Sequence, residues 1–114
     1  MNQVSLIGNI GNAPKLGTTT NDVAWGCISV AINESWKDAN GEKQERTSWI
    51  DVKAFNGLAR SLTNLKKGAK VAVSGKLREE EYEKDGVTHR KHVIIASEID
   101  FLTWGGKAAE EKAE

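Results

Sequence analysis

The clearest alternation in the chain runs through TSWIDVKAF, residues 47–55, where Ile50, Val52 and Ala54 share one side and Trp49, Asp51, Lys53 and Phe55 the other. Successive side chains of a strand point to opposite faces, so this period of two predicts a half-buried strand with an aliphatic core face. The same period recurs upstream. NQVSLIGN, residues 2–9, predicts a first strand that ends in the Gly/Asn/Pro-rich turn GNAP at 11–14. A second strand is expected from about residue 23 to 36, with Ile28, Val30 and Ile32 alternating with Cys27, Ser29 and Ala31. The polar stretch KDANGEKQER separates it from the third, and its Asn40-Gly41 pair is a hairpin signal.

After residue 55 the period changes. Leu58, Leu62 and Leu65 fall at i, i+4 and i+7, which predicts a short helix. Gly68 is placed to end it, with Lys66 and Lys67 in a last turn where cations suit the helix dipole. KVAVSGKLREEEYE, residues 70–83, returns to strand alternation with Val71, Val73 and Leu77 expected inward. Lys84-Asp85-Gly86 predicts a tight turn, and a last strand runs from Val87 through Val93, Ile94 and Ile95 towards Phe101. Three strands, one short helix and two more strands is the order of an OB-fold, an all-β five-stranded Greek-key barrel with its helix between strands three and four. The helix content is too low for a doubly wound α/β domain.

A length of 114 residues suits a single domain, expected to fill residues 1–106 and to leave a short, acidic, disordered tail at 107–114. No apolar run approaches the ~20 residues that cross a bilayer, and the start of the chain lacks a signal-peptide pattern, so no membrane partner and a cytoplasmic location are expected. Cys27 is the only cysteine, which excludes an internal disulfide and a Cys-based metal site; its strand setting reads as a small buried hydrophobe. His89 and His92 stand three apart on one strand, hence on opposite faces, and read as solvated side chains rather than metal ligands. No nucleophile–base pair, paired-carboxylate motif, phosphate-binding glycine loop or metal-spaced cluster appears, so neither an enzyme nor a cofactor is expected.

The formal net charge of zero hides an asymmetry: residues 1–78 carry a balance of +5 and residues 79–114 a balance of −5. A neutral total is therefore compatible with a basic surface.

The aromatic residues change the picture most. Trp49 and Phe55 lie opposite the aliphatic face of their strand, and Lys53 lies between them. Trp36 ends the second strand beside Lys37, while Tyr82 shares its face with Arg78, Glu80 and Lys84 and is preceded there by Lys76. Alternation predicts exposure for these four rings, whereas Trp25 and Trp104 are expected to pack. Exposed rings interleaved with cations suit an unpaired nucleic-acid strand, because every base offers a π-face worth ~1–3 kcal/mol per stack while the cations follow phosphates. A protein–protein interface is the other use of exposed aromatics. The run Glu79-Glu80-Glu81 reads as a solvated face that weakens phosphate attraction nearby.

Over residues 1–106 the chain resembles the bacterial single-stranded DNA-binding proteins. The segments that carry the resemblance are VSLIGNIGNAP, INESWKD, ERTSWIDVKAFNGLA, LKKGAKVAVSGKLR and EKDGVTHRKHV, in that order and spacing. The resemblance implies an OB-fold that binds and protects single-stranded DNA with little sequence preference in replication, recombination and repair. It also implies a homo-oligomer, with a tetramer favoured over a dimer, in the bacterial nucleoid or in the host cytoplasm for a phage-borne or mobile form. In that family stacking aromatics stand in the ESW, (S/E)W and F-G-x-L/A segments, which correspond here to Trp36, Trp49 and Phe55. Tyr82 holds the place of a fourth, usually a Trp. Lys37, Lys53, Lys76 and Arg78 are the expected phosphate contacts. Ile50 stands where many relatives carry a His used in subunit contacts. The family's long tail with an acidic tip and terminal Phe has no counterpart in KAAEEKAE, residues 107–114, so recruitment of replication proteins through such a tip is not expected. Two other functions share the fold pattern: an OB-fold adaptor that binds mainly protein, such as a primosomal component, and an enzyme subunit that uses the same platform.

Overall fold

Four long strands are built where the alternation predicts, and the barrel they form is closed by a fifth. The computed structural model describes residues 1–103. Its elements are β1 (Val4–Ile10), β2 (Lys15–Thr18), β3 (Ala24–Lys37), β4 (Lys43–Phe55), α1 (Gly57–Ser61), a 3-10 turn (Leu62–Asn64), β5 (Lys70–Lys84) and β6 (Val87–Phe101). The expectations for Trp104 and for the tail at 107–114 lie outside the described residues.

The strands form one sheet in the order β1-β5-β6-β4-β3-β2, and β1 also pairs with β3, which closes a five-stranded barrel. All pairings are antiparallel except β4 with β6, where Val52 faces Ile94 and Lys53 faces Ile95 in parallel register. Closure rests on Asn9 opposite Ala31 and Ile10 opposite Val30. Gly8 permits that approach, since a Cβ there would collide with the Ala31 carbonyl and the Val30 side chain. This is the OB-fold expected from the order of elements, with the short helical segment between the third and fourth barrel strands.

The core is aliphatic. Ile28, Val30, Val52, Ala54, Val71, Val73 and Ile94 are buried in it, with Leu62 and Leu65 packed from the helical segment and the turn that follows. Burial stabilises by roughly 1.5–3 kcal/mol for each large aliphatic side chain, so this face of each strand fixes the register. Ile50 is half-buried against the same core.

Four expectations need correction. The chain adds a sixth strand, β2, along the outer edge of β3, with Leu16 opposite Gly26 and Gly17 opposite Trp25. The helix ends at Asn64, because Leu65 is already extended (ψ 144°), so Lys66 and Lys67 are not in its last turn. Gly68 sits beyond that end in a left-handed turn (φ 93°), where its N–H donates to the Ile10 carbonyl at 2.8 Å. Leu77 points outward at 47 % exposure. It follows a bulge at Ser74/Gly75, and beyond its partner Ile94, which still pairs with Val52, β5 and β6 leave the barrel as a two-stranded arm.

Both long hairpins end in turns that the sequence announces. Asp85 (φ 54°) and Gly86 (φ 77°) both take the positive φ that a two-residue primed turn requires. The β3–β4 turn is held by Asp38, whose carboxylate accepts from the Asn40 and Glu42 N–H groups, each at 2.9 Å. The Gln44 side-chain amide donates to its second oxygen at 3.1 Å.

Candidate nucleic-acid interface

The outer pleat of the β3–β4 ribbon carries four facing pairs: Trp49 with Ala31, Asp51 with Ser29, Lys53 with Cys27, and Phe55 with Trp25. Trp49 is 60 % exposed, while Phe55 is half-buried. Small residues beneath the rings set their pose. A Cβ on Gly11 would clash with the six-membered ring of Trp49, 2.2 Å from Cζ3, and one on Gly17 would lie 2.6 Å from the indole of Trp25. Each glycine therefore lets an indole pack closely against its backbone.

Trp25 is thus not a core residue. It shares the pleat of Cys27 and forms, with Gly26, Lys53 and Phe55, a mainly apolar hollow of about 210 Å³. Cys27 also departs from expectation: it is half-buried on this outer pleat rather than in the core. Burial first, and then the Asp51 carboxylate, raise its thiol pKa above the ordinary value. That keeps the sulfur protonated and unreactive at neutral pH.

Parallel pairing of β4 with β6 brings the second arm onto the same surface. Lys53 Nζ donates to both oxygens of Glu80 at 2.7 and 2.9 Å. Lys91 lies 3.6 Å from Asp51 and also stands over the Tyr82 ring, 5.9 Å from its centroid. Lys53, Glu80, Glu81, Tyr82 and Lys91 line an open groove of about 540 Å³ beside the Trp49–Phe55 row. Tyr82 is 46 % exposed. The interface therefore has rings at its ends and two ion pairs across its middle. Glu79 and Glu81 face Arg90 and Glu79 faces His92 on the opposite pleat of the arm, as the alternation requires.

The structure brings Trp49, Phe55, Lys53 and Tyr82 together, and it does not bring Trp36 to them directly. Trp36 pairs with Gln44 on the pleat that carries Val30 and Ile50 lower down, near the tip of the β3–β4 arm. It is exposed there because the arm has left the barrel, and the Arg46 guanidinium lies 5.7 Å from its ring centroid. Lys37, Lys76 and Arg78 are exposed, and none of their side chains forms an ion pair among the described residues. Sequence reasoning missed Trp25 and Lys91 as members of this surface, and Arg46 as the partner of Trp36 on the other pleat. Trp25 was legible, because its odd number places it with Cys27 rather than with Ile28.

The profile of the single-strand binding protein family matches residues 1–102. The chain belongs to that family. Among curated relatives, the single-stranded DNA-binding protein of Neisseria meningitidis is 36 % identical over 94 % of this chain and 62 % of its own length. That of Xanthomonas axonopodis is 38 % identical over 94 % of this chain and 59 % of its own. The chain thus spans about three fifths of the length of these relatives. Among solved structures, a Plasmodium falciparum SSB in complex with ssDNA superposes with a TM-score of 0.81 at 26 % identity, covering 90 % of this chain and 96 % of that one. A deletion variant of the single-stranded DNA-binding protein of Thermus aquaticus gives 0.80 at 28 % identity, covering 90 % of this chain and 51 % of the other. The family description names binding, not a reaction.

Among the described residues no three His, Cys, Asp or Glu side chains cluster so as to hold a metal ion, and no helix is long and apolar enough to cross a membrane.

Proposed function

We propose that the chain binds single-stranded DNA with little sequence preference and protects it during replication, recombination and repair. The observation that carries this reading is one exposed surface on which Trp49, Phe55 and Tyr82 flank a polar groove, with cations at its margins that form no ion pair among the described residues. Bases stack on Trp49, Phe55 and Tyr82, and on Trp36 where the strand follows the β3–β4 arm. Lys37, Lys76 and Arg78 hold phosphates, whereas Lys53 reaches a phosphate only in competition with Glu80. A site of roughly 4–16 nucleotides per OB-fold is expected. The protein works as a homo-oligomer, a tetramer in preference to a dimer. The family membership supports this, as does Ile7 on the outside of β1 at 57 % exposure.

The test is tryptophan fluorescence during titration with a thymine oligonucleotide, set beside a duplex of equal length. Quenching by the single strand alone is the expected result. The Trp49→Ala, Phe55→Ala double variant should lose that binding and keep its oligomeric state by sedimentation. Loss of the oligomer with binding retained would move the rings to a protein interface and favour the adaptor function.

A further inference from the structure

Tyr82 and His89 are direct cross-strand partners near the tip of the β5–β6 arm. Their rings stack, with centroids 5.2 Å apart and planes 21° from parallel, and both residues are exposed. We propose that His89 is a further contact residue of the single-strand interface, forming one two-ring platform with Tyr82 and adding, when protonated, a cation for the strand's backbone. The inference rests on the single-strand-binding reading above.

Three observations carry it. First, the pairings Tyr82–His89 and Glu80–Lys91 put His89 on the pleat that faces the groove, and Lys91 already stands over the Tyr82 ring. A base that reaches Tyr82 therefore meets His89 as well. Second, the carboxylates on this side are engaged. Glu80 is held by Lys53 at 2.7 Å, and Asp51 by Lys91 at 3.6 Å. Glu81 lines the groove but lies 3.4 Å from Arg90, and Lys84 stands at the end of β5 beyond Tyr82. No acidic side chain is paired with His89 among the described residues, so a proton on it creates a cation that a phosphate can use. Third, His92 provides an internal contrast. It lies on the opposite pleat with Glu79 at 3.8 Å, so its charge is answered within the protein. Histidine is the side chain that ordinarily changes charge between pH 5 and 8, and a ring stacked on Tyr keeps its flat face for a base in either state.

The experiment measures affinity for a thymine oligonucleotide at pH 8 and pH 5.5 across a salt series. Neither thymine nor the phosphodiester titrates in that window, so changes report the protein. The unaltered chain should bind about fivefold tighter at pH 5.5 near 0.1 M salt, with a salt slope steeper by about 0.7, as one more neutralised phosphate requires. His89→Phe keeps a stacking ring and should lose the gain at pH 5.5 relative to its own affinity at pH 8. His89→Ala should bind more weakly at both. His92→Gln should keep the full pH response. A flat pH profile for the unaltered chain, or an undiminished gain in His89→Phe, overturns the inference while leaving the parent reading intact. Absence of binding at every pH overturns both.

Discussion

Replacing Glu80 by Gln removes one negative charge from the middle of the interface and leaves the side chain's shape in place. Lys53 donates to both Glu80 oxygens at 2.7 and 2.9 Å, and the two side chains are only 31 % and 23 % exposed. At a separation near 3 Å and an effective dielectric of ~20, the bare attraction is about 5 kcal/mol. Desolvating both ions offsets most of it, leaving a net worth of roughly 1 kcal/mol to the folded chain. A phosphate that approaches Lys53 must displace this partner and also stand beside its charge. Glu80→Gln lifts both obstacles. One added phosphate contact steepens the salt slope by about 0.7, which at 0.1 M salt amounts to about fivefold in affinity. With the lost competition from the ion pair, a total gain of roughly five- to thirtyfold is expected, or about 1–2 kcal/mol.

The assay is fluorescence titration with a thymine oligonucleotide at several salt concentrations, with Lys53→Met and the double variant completing the cycle. Lys53→Met alone should change affinity little, because that lysine is already committed. Added to Glu80→Gln, it should abolish the gain. Thermal unfolding should show a loss of no more than about 1 kcal/mol for Glu80→Gln. Weaker binding by Glu80→Gln, or an unchanged salt slope, would refute the reasoning: the ion pair would then be part of the surface that the strand uses rather than its competitor.

Gly11→Ala drives a methyl group into the Trp49 ring and should tilt it off its seat, lowering single-strand affinity by about 1–2 kcal/mol, within the worth of one base stack, with the far-ultraviolet spectrum unchanged; unaltered affinity would mean that Trp49 needs no support. Cys27, whose thiol pKa is raised by burial and by Asp51, should react slowly with iodoacetamide at pH 7.5 and more slowly with oligonucleotide bound, since it faces Lys53 on the outer pleat. An alkylation rate indifferent to DNA would put the strand elsewhere. The Glu42 N–H bond is the chief cause of the lowered pKa of the half-buried Asp38 carboxylate. A lowered folded pKa stabilises above the ordinary aspartate range and loses that effect as pH falls through the folded value, so the β3–β4 turn should loosen below about pH 4. Lower protection factors of the Asn40 and Glu42 amides there, after correction for the intrinsic pH dependence of exchange, check this, and Asp38→Ala should show the same low protection at every pH.

Most of the barrel was legible because its strands carry a local signal. Ile28, Val30 and Ile32, and then Val52 and Ala54, alternate strictly enough to give both the strands and their inner face. The β2 strand was not legible: four residues, KLGT, offer no period, and they pair only because β3 has an open edge beside Trp25. Leu77 shows the opposite limit. The alternation of β5 does place it on the pleat of Val71 and Val73, but whether a pleat is covered depends on where the barrel stops, and no local pattern carries that. Leu65 kept its helical spacing and its burial although the helix had already ended, so a stripe at i+7 located the packing face better than the element boundary.

The site divides along the same line. The row of Trp49, Lys53 and Phe55 follows from period two within one strand, and so does the place of Trp25, which the general burial of its strand concealed. The chemistry between the rings does not follow, because it depends on β4 lying parallel to β6 and thereby setting Glu80 and Lys91 against Lys53 and Asp51. That arrangement changes what the neutral net charge means. The cations at the centre of the interface are already answered by carboxylates, and those at its margins, Lys37, Lys76 and Arg78, have none among the described residues. Under the proposed function, a strand crossing this surface gains most where its bases meet Trp49, Phe55 and Tyr82, and is held by its phosphates chiefly at the edges. Base stacking rather than charge then sets affinity at the centre, and a stacking surface accepts any sequence because every base has a face to offer.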